Sequence, residues 1–365
     1  MTQRQWGAGN ERLYEHEAWG EAEEANGFTT ETDLLKHFAM AGGVTHEEVL
    51  LLLASPDDIE EALRVSGIRH SGKTQPALNR LLQWSDRNRR LKVMSQSADA
   101  DSIIHDLKQG AQGIGLIRGE EALRHGLLQE VYSAWIQASG TEKSALFRRR
   151  LITLWKTYWV SVFQAAKGNK CAVSMLHDEQ LMNSLDRREA QDAQLESLFR
   201  AMEQCSMEGT DCQLELLATR PSDVDEFISI HRFIEEVAEQ TLMDQKRFVR
   251  IRYGVLLDKG MNPSAAAEMA RLADVIVLDA EGTKDPASLE GNSDRVSDFS
   301  DIISRIRRMK PQLTLRFNGA ATTDLRMIYR QGIHEVCCQS SELAAIRITG
   351  ARLEMRRRCS PLADG

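Results

Sequence analysis

The sequence predicts an α/β chain of the (β/α)8-barrel type, and three observations carry that expectation. From Leu91 onward, short apolar runs alternate with longer amphipathic segments. The alternation repeats about eight times, the number at which a parallel sheet closes on itself. The second run lies in GAQGIGLIRGEE, Gly110–Glu121, where an apolar strand core ends on one cation, Arg118. Barrel enzymes place phosphate- and carboxylate-binding groups at that end of a strand. Gly110, Gly113 and Gly119 around it permit tight turning and close backbone approach. A doubly wound open sheet is the alternative reading of the same alternation.

In chain order, residues 1–30 read as a polar arm and residues 31–76 as a small helical hairpin with a linker. Asp33–Ala41 and Thr45–Ala54 have helical spacing around Gly42-Gly43, and Thr45 with Glu48 makes a capping-box pattern. Pro56 suits the first turn of a further short helix. The barrel is assigned to residues 84–358. Strands are expected at Leu91–Gln96, Gly113–Ile117, Cys171–Leu176, Gln213–Ala218, Tyr253–Leu257, Val275–Leu278, Leu313–Phe317 and Glu335–Cys338. Helices are expected at Ala100–Gln109, Leu146–Ala166, Ala193–Cys205, Val224–Glu239, Pro263–Leu272, Asp298–Met309 and Thr323–Gln331.

Composition narrows the partners. The 365 residues are 42% hydrophobic, enough for a sizeable core, and 46 basic against 54 acidic residues give a net charge of −8. That balance argues against nucleic acid. The basic runs at residues 87–90, 148–150 and 356–358 read as solvated helix faces. Six cysteines show no metal-ligand spacing, and adjacent Cys337 and Cys338 on a strand point to opposite faces. Free thiols fit a reducing compartment. With no apolar signal core and no run of membrane-spanning length, a cytoplasmic chain without a membrane partner is expected.

Several segments, taken in order, resemble the phosphoenolpyruvate-utilising enzymes, and most closely the phosphoenolpyruvate/pyruvate barrel of the pyruvate phosphate dikinases. They are Trp84–Val93, Gly110–Glu120, Gln213–Phe227, Gly254–Ala273, Leu313–Gly319 and Val336–Arg347. The hairpin Leu34–Leu63 is similar to a two-helix element of the same enzymes. The chain has no room for their nucleotide-binding and phosphohistidine domains. A strand of that family has no counterpart, because Asn183–Ala193 is a polar connection, so one barrel element is expected to be shortened or missing.

The resemblance implies a site. Met94 and Ser174 stand where the family has phosphate-gripping arginines, leaving Arg118 of three. Each charge-assisted hydrogen bond is worth roughly 1.5–3 kcal/mol, so the loss of two costs about 3–6 kcal/mol, or two to four decades of affinity. Asp258 falls on one magnesium-ligand position and Gly282 on the other, with Glu281 or Asp279 as the substitute carboxylate. Cys338 matches the cysteine that protonates the enolate, and Asn318 joins Arg118 in substrate binding. His46 is explained by the hairpin rather than by a phosphohistidine.

The expectation is therefore a degenerate dikinase-like barrel, a pseudoenzyme that binds a partner protein or a small carboxylate. It would carry no cofactor, magnesium being the one candidate metal. The alternative is an active enzyme on phosphoenolpyruvate, pyruvate or another 2-oxo acid or enolate, with Arg118 as anchor, Asp258 with Glu281 or Asp279 on a metal and Cys338 as proton donor. A third reading is a fragment that works with a separate phosphohistidine protein, which the missing arginines disfavour. By analogy with the family, a homodimer is expected.

Overall fold

Eight strands pair in chain order, all parallel, and the last pairs with the first, so the sheet closes. The computed structural model describes residues 76–124, 126–177, 184–243, 250–281 and 295–359. The arm, the hairpin, its linker, His46 and Gly282 lie outside them. The strands are β1 Lys92–Ser95, β2 Ile114–Ile117, β3 Lys170–Ser174, β4 Gln213–Thr219, β5 Arg250–Leu257, β6 Val275–Asp279, β7 Thr314–Asn318 and β8 Glu335–Cys338. Among the described residues no helix is long and apolar enough to cross a membrane.

The chain divides into two units. One is Leu91–Ile346; the other is described over residues 76–90 and 347–359. In the second unit, helix α1, Pro76–Asn88, carries Asp86, whose carboxylate accepts from Arg89 Nε at 2.9 Å and from Arg347 Nε at 3.0 Å.

Within the first unit, α2 (Ala100–Lys108) starts where Asp99 accepts the Ser102 N–H at 2.9 Å. The β2–β3 connection holds two helices, α3 (Gly126–Gln137) and α4 (Ser144–Ala166), of which only the second was legible as a pattern. Helix α5, Ser184–Met207, takes in almost all of the segment read as a polar connection. No strand is missing from the closed barrel, which corrects the expectation of a shortened element. Then follow α6 (Val224–Leu242), capped by Asp223, and α7 (Pro263–Leu272), with Asn262 as cap and proline in its first turn. The remaining helices are α8 (Ser300–Met309), α9 (Leu325–Arg330) and α10 (Leu343–Cys359).

Strand alternation divides the buried side chains into two cores. Residues facing the helices, among them Ile114, Cys171 and Leu214, pack with Trp155, Trp159, Phe163 and Phe199. Inside the barrel, Leu116, Ala172, Leu217, Leu256, Val277 and Cys337 form an apolar middle layer. Gly115 is required there, because a Cβ would stand 2.4 Å from Cys337 Sγ.

The amino ends of the strands are closed by charge. Arg316, fully buried, donates to Glu215 and Glu335, each at 2.7 Å, and to the Gly115 carbonyl at 2.9 Å. Arg252 donates to Glu215 at 2.6 Å, while Lys92 and Lys170 lie 3.3 and 3.6 Å from Glu335. Burial pushes the Glu335 carboxyl up, but Arg316 and the two lysines outweigh it and hold the group below the ordinary range. This end of a barrel supports stability; the opposite end carries chemistry.

Candidate functional site at the carboxyl ends of the strands

Several strands deliver a polar side chain at the carboxyl end, either as the last residue or just beyond it. They are Gln96 after β1, Arg118 after β2, Asp279 ending β6, Asn318 ending β7 and, two residues past β6, Glu281. The register explains why they meet. Asp279 pairs with Asn318 in the β6–β7 ladder, and side chains two residues apart share a face.

Arg118 and Asp279 form the centre. Arg118 Nη1 donates to Asp279 Oδ2 at 2.6 Å and Nη2 to Oδ1 at 2.9 Å, a bidentate pair. The Asp279 side chain is 0% exposed and that of Arg118 only 17%. Asn318 Nδ2 donates to the same Asp279 oxygen at 3.0 Å, and the Glu281 N–H does so at 3.2 Å. Burial alone would raise the Asp279 carboxyl. The guanidinium, the Asn318 amide and the Glu281 N–H reverse that and hold it below the usual carboxylate range. Burial likewise disfavours charge on Arg118, and the bonds and charge of Asp279 overcome it, so the guanidinium stays firmly protonated.

Two further carboxylates flank this pair. Glu281 Oε2 stands 3.9 Å from Arg118 Nη2 and accepts from Gln96 Nε2 at 2.9 Å. The same Gln96 nitrogen reaches Asn318 Oδ1 at 2.9 Å, which sets the orientation of both amides. Glu121 stands 4.0 Å from Arg118 Nε and accepts the Arg118 backbone N–H at 3.0 Å. Burial pushes the Glu121 carboxyl up, and Arg118 offsets only part of that. Gly319 completes the wall: its φ is +80°, and a Cβ there would lie 2.6 Å from Glu281 Cγ.

The residues expected to form a site are thus only partly brought together. Arg118, Asn318 and Glu281 converge. Asp258 does not join them: its carboxylate lies 3.4 Å from Arg220 Nε and accepts the Gly260 N–H at 3.0 Å. Among the described residues no group of three His, Cys, Asp or Glu is placed to hold a metal. Cys338 is buried with its thiol 3.8 Å from the Met94 carbonyl, and alternation sends it to the face opposite Cys337. Cys337 is the one of the two in the barrel interior, where burial pushes its thiol up. A small carboxylate arriving at Arg118 meets a guanidinium whose two Nη atoms are already held by Asp279.

Gln96, Asp279 and Glu121 hold this site together, and of them only Asp279 entered the sequence reading, as a substitute metal ligand. A signal for two of them was present: Gln96 ends a predicted strand and Asp279 follows one directly.

Fold and site define a parallel (β/α)8 barrel with a polar, acid-rich mouth. No protein-family model matches the chain, and no curated protein does. Among solved structures, the chain is similar to tryptophan synthase from M. tuberculosis, a ligand-free form with a point-mutated TrpA, at 11% identity and a TM-score of 0.39. That match covers 77% of this chain and 98% of the other. It is also similar to a point mutant of the tryptophan synthase alpha-subunit of the hyperthermophile Pyrococcus furiosus, at 9% identity and a TM-score of 0.36, over 75% of this chain and 99% of that one. The expected kinship with the phosphoenolpyruvate-utilising enzymes does not hold: no family model supports it, and the solved structures reported are tryptophan synthases. The degenerate-dikinase function and its phosphoenolpyruvate-enzyme alternative fall with it. What misled the reading is the architecture itself, since one barrel fold hosts many unrelated chemistries.

Proposed function

We propose that the carboxyl-end mouth of this barrel binds a small organic amine and that Glu281 is the group that meets it. One observation carries the reading: among the described residues the Arg118 guanidinium faces three carboxylates, and Asp279 holds both of its terminal nitrogens. Among the described residues the cluster of Arg118, Asp279, Glu281 and Glu121 is therefore net negative once Arg118 and Asp279 cancel, which disfavours phosphate and carboxylate groups there and favours an ammonium. Glu281 is 24% exposed on its side chain and steadied by Gln96, so it is both reachable and oriented. A carboxylate held in this way can pair with an ammonium or accept a proton from the bound molecule. The position supports the reading, since (β/α)8 barrels place their small-molecule chemistry on this face. We place the chain in the cytoplasm, on its free-thiol pattern.

The test is ligand-observed NMR on the full chain with a panel of small amines beside inorganic phosphate, pyruvate and oxalate. Saturation transfer to at least one amine, lost in Glu281→Gln, is expected. Transfer confined to the anions would overturn the reading.

A further inference from the structure

The amino-end layer of the barrel holds more positive charge than its own carboxylates neutralise. Each odd-numbered strand sends one cation into it: Lys92 from β1, Lys170 from β3, Arg252 from β5 and Arg316 from β7. Lys170 stands two residues before Ala172, and Arg252 four before Leu256, both in the interior layer, so alternation turns them inward. Among the described residues, all ion pairs of these four cations go to two carboxylates, Glu215 and Glu335. Four cations on two carboxylates leave two positive charges over, in a chain whose net charge is −8. At the rim, Arg252 Nη2 donates to the Asp274 carbonyl at 2.8 Å, while the Asp274 carboxylate accepts the Tyr253 N–H at 3.0 Å.

Lys170 is the pivot of the cluster. Its Nζ lies 3.6 Å from Glu335 Oε1 and 3.9 Å from Glu215 Oε1, beyond hydrogen-bond length in both cases. Among the described residues its three N–H groups donate no hydrogen bond. Lys92 Nζ stands 3.3 Å from the same Glu335 oxygen, and Arg252 Nη1 stands 2.6 Å from the same Glu215 oxygen. Each neighbour therefore shares one oxygen with Lys170, which gathers the three cations around it. Their side chains are 55%, 29% and 36% exposed for Lys92, Lys170 and Arg252, whereas Arg316 is fully buried.

We propose that this cluster binds a doubly charged tetrahedral oxyanion, phosphate or sulfate, between Lys92, Lys170 and Arg252. The anion gives the Lys170 ammonium the acceptors it lacks and cancels the two charges in excess. The buried Arg316, bonded to both glutamates, fixes where the carboxylates stand and hence where the exposed cations gather. Since the three contacting cations face water, the site fills only at about tens of millimolar anion. Binding to the folded chain alone adds to its stability, at the end of the barrel where charge already closes the fold.

The experiment measures the thermal midpoint of the full chain at pH 7.5 in about 50 mM inorganic phosphate and in sodium chloride of equal ionic strength. Wild type, Lys92→Gln, Lys170→Gln and Lys259→Gln are compared; Lys259 is exposed beyond β5, at the opposite end of the barrel. Phosphate is expected to raise the wild-type midpoint by a few degrees over chloride. At least half of that increment is lost in Lys92→Gln and in Lys170→Gln, and all of it is kept in Lys259→Gln. No increment in the wild type would overturn the proposal. So would an equal increment in all four proteins, the signature of general exclusion of phosphate from protein surfaces. None of these readouts depends on what the mouth binds.

Discussion

Arg118 and Asp279, on strands on opposite sides of the barrel, close on each other through two parallel hydrogen bonds of 2.6 and 2.9 Å. The pair turns what the sequence presents as a free cation at a strand end into an internally compensated group. It also sets the pH behaviour of the fold.

The acid limb of stability follows in part from two lowered carboxylates in the charged clusters. Asp279 and Glu335 release their protons more readily folded than unfolded. The stability they confer is complete above the ordinary carboxylate range, near ~4, and is lost as pH falls through their lowered folded values. Glu121 has the opposite sign, since its raised carboxyl costs stability as pH rises from that range through its folded value. Urea midpoints measured from about pH 2 to 7 should rise steeply and then flatten. Asp279→Asn should show a shallower acid limb than the wild type, and identical limbs would contradict the assignment.

Arg316→Met tests the charged closure at the amino ends. The substitution leaves Glu215 and Glu335 buried with only peripheral lysines and Arg252 as partners. A loss of about 3 kcal/mol in urea unfolding is expected, the cost of breaking a buried pair from one side. A change under about 0.5 kcal/mol would mean that the network contributes nothing.

Gly319→Ala should strike the mouth without touching charge. Alanine at φ +80° costs about 1–2 kcal/mol, and its methyl forces Glu281 away from Gln96. The expected result is a modest fall in thermal midpoint together with loss of amine binding. Unchanged amine binding would show that Glu281 is not the group that meets the ligand.

Most of the barrel was legible in the residues. Runs such as Val275–Leu278 and Glu335–Cys338 are short, apolar and bounded by turn residues, and each became a strand within a residue or so. Only the start of α5, residues 184–192, was not legible, because it is mostly polar, whereas Ala193–Cys205 was expected as a helix. The site was read less well for a different reason. Position at a strand end marks Arg118, Asn318 and Glu281, but which carboxylate holds the arginine depends on barrel closure and register. Arg118 and Asp279 are 161 residues apart, and no local pattern encodes their meeting. Arg316, Glu215 and Glu335 escaped attention for the same reason: a charge within an apolar strand declares its partners only when the sheet closes.

The direct test of the account is a side-by-side calorimetric titration of oxalate into the wild type and into Asp279→Asn. If Asp279 occupies the anion-binding capacity of Arg118, the wild type gives no binding heat and the variant, with its guanidinium released, binds near ~1 mM or tighter. Oxalate binding to the wild type at that strength, undiminished beside the variant, would contradict the claim that this arginine is already taken.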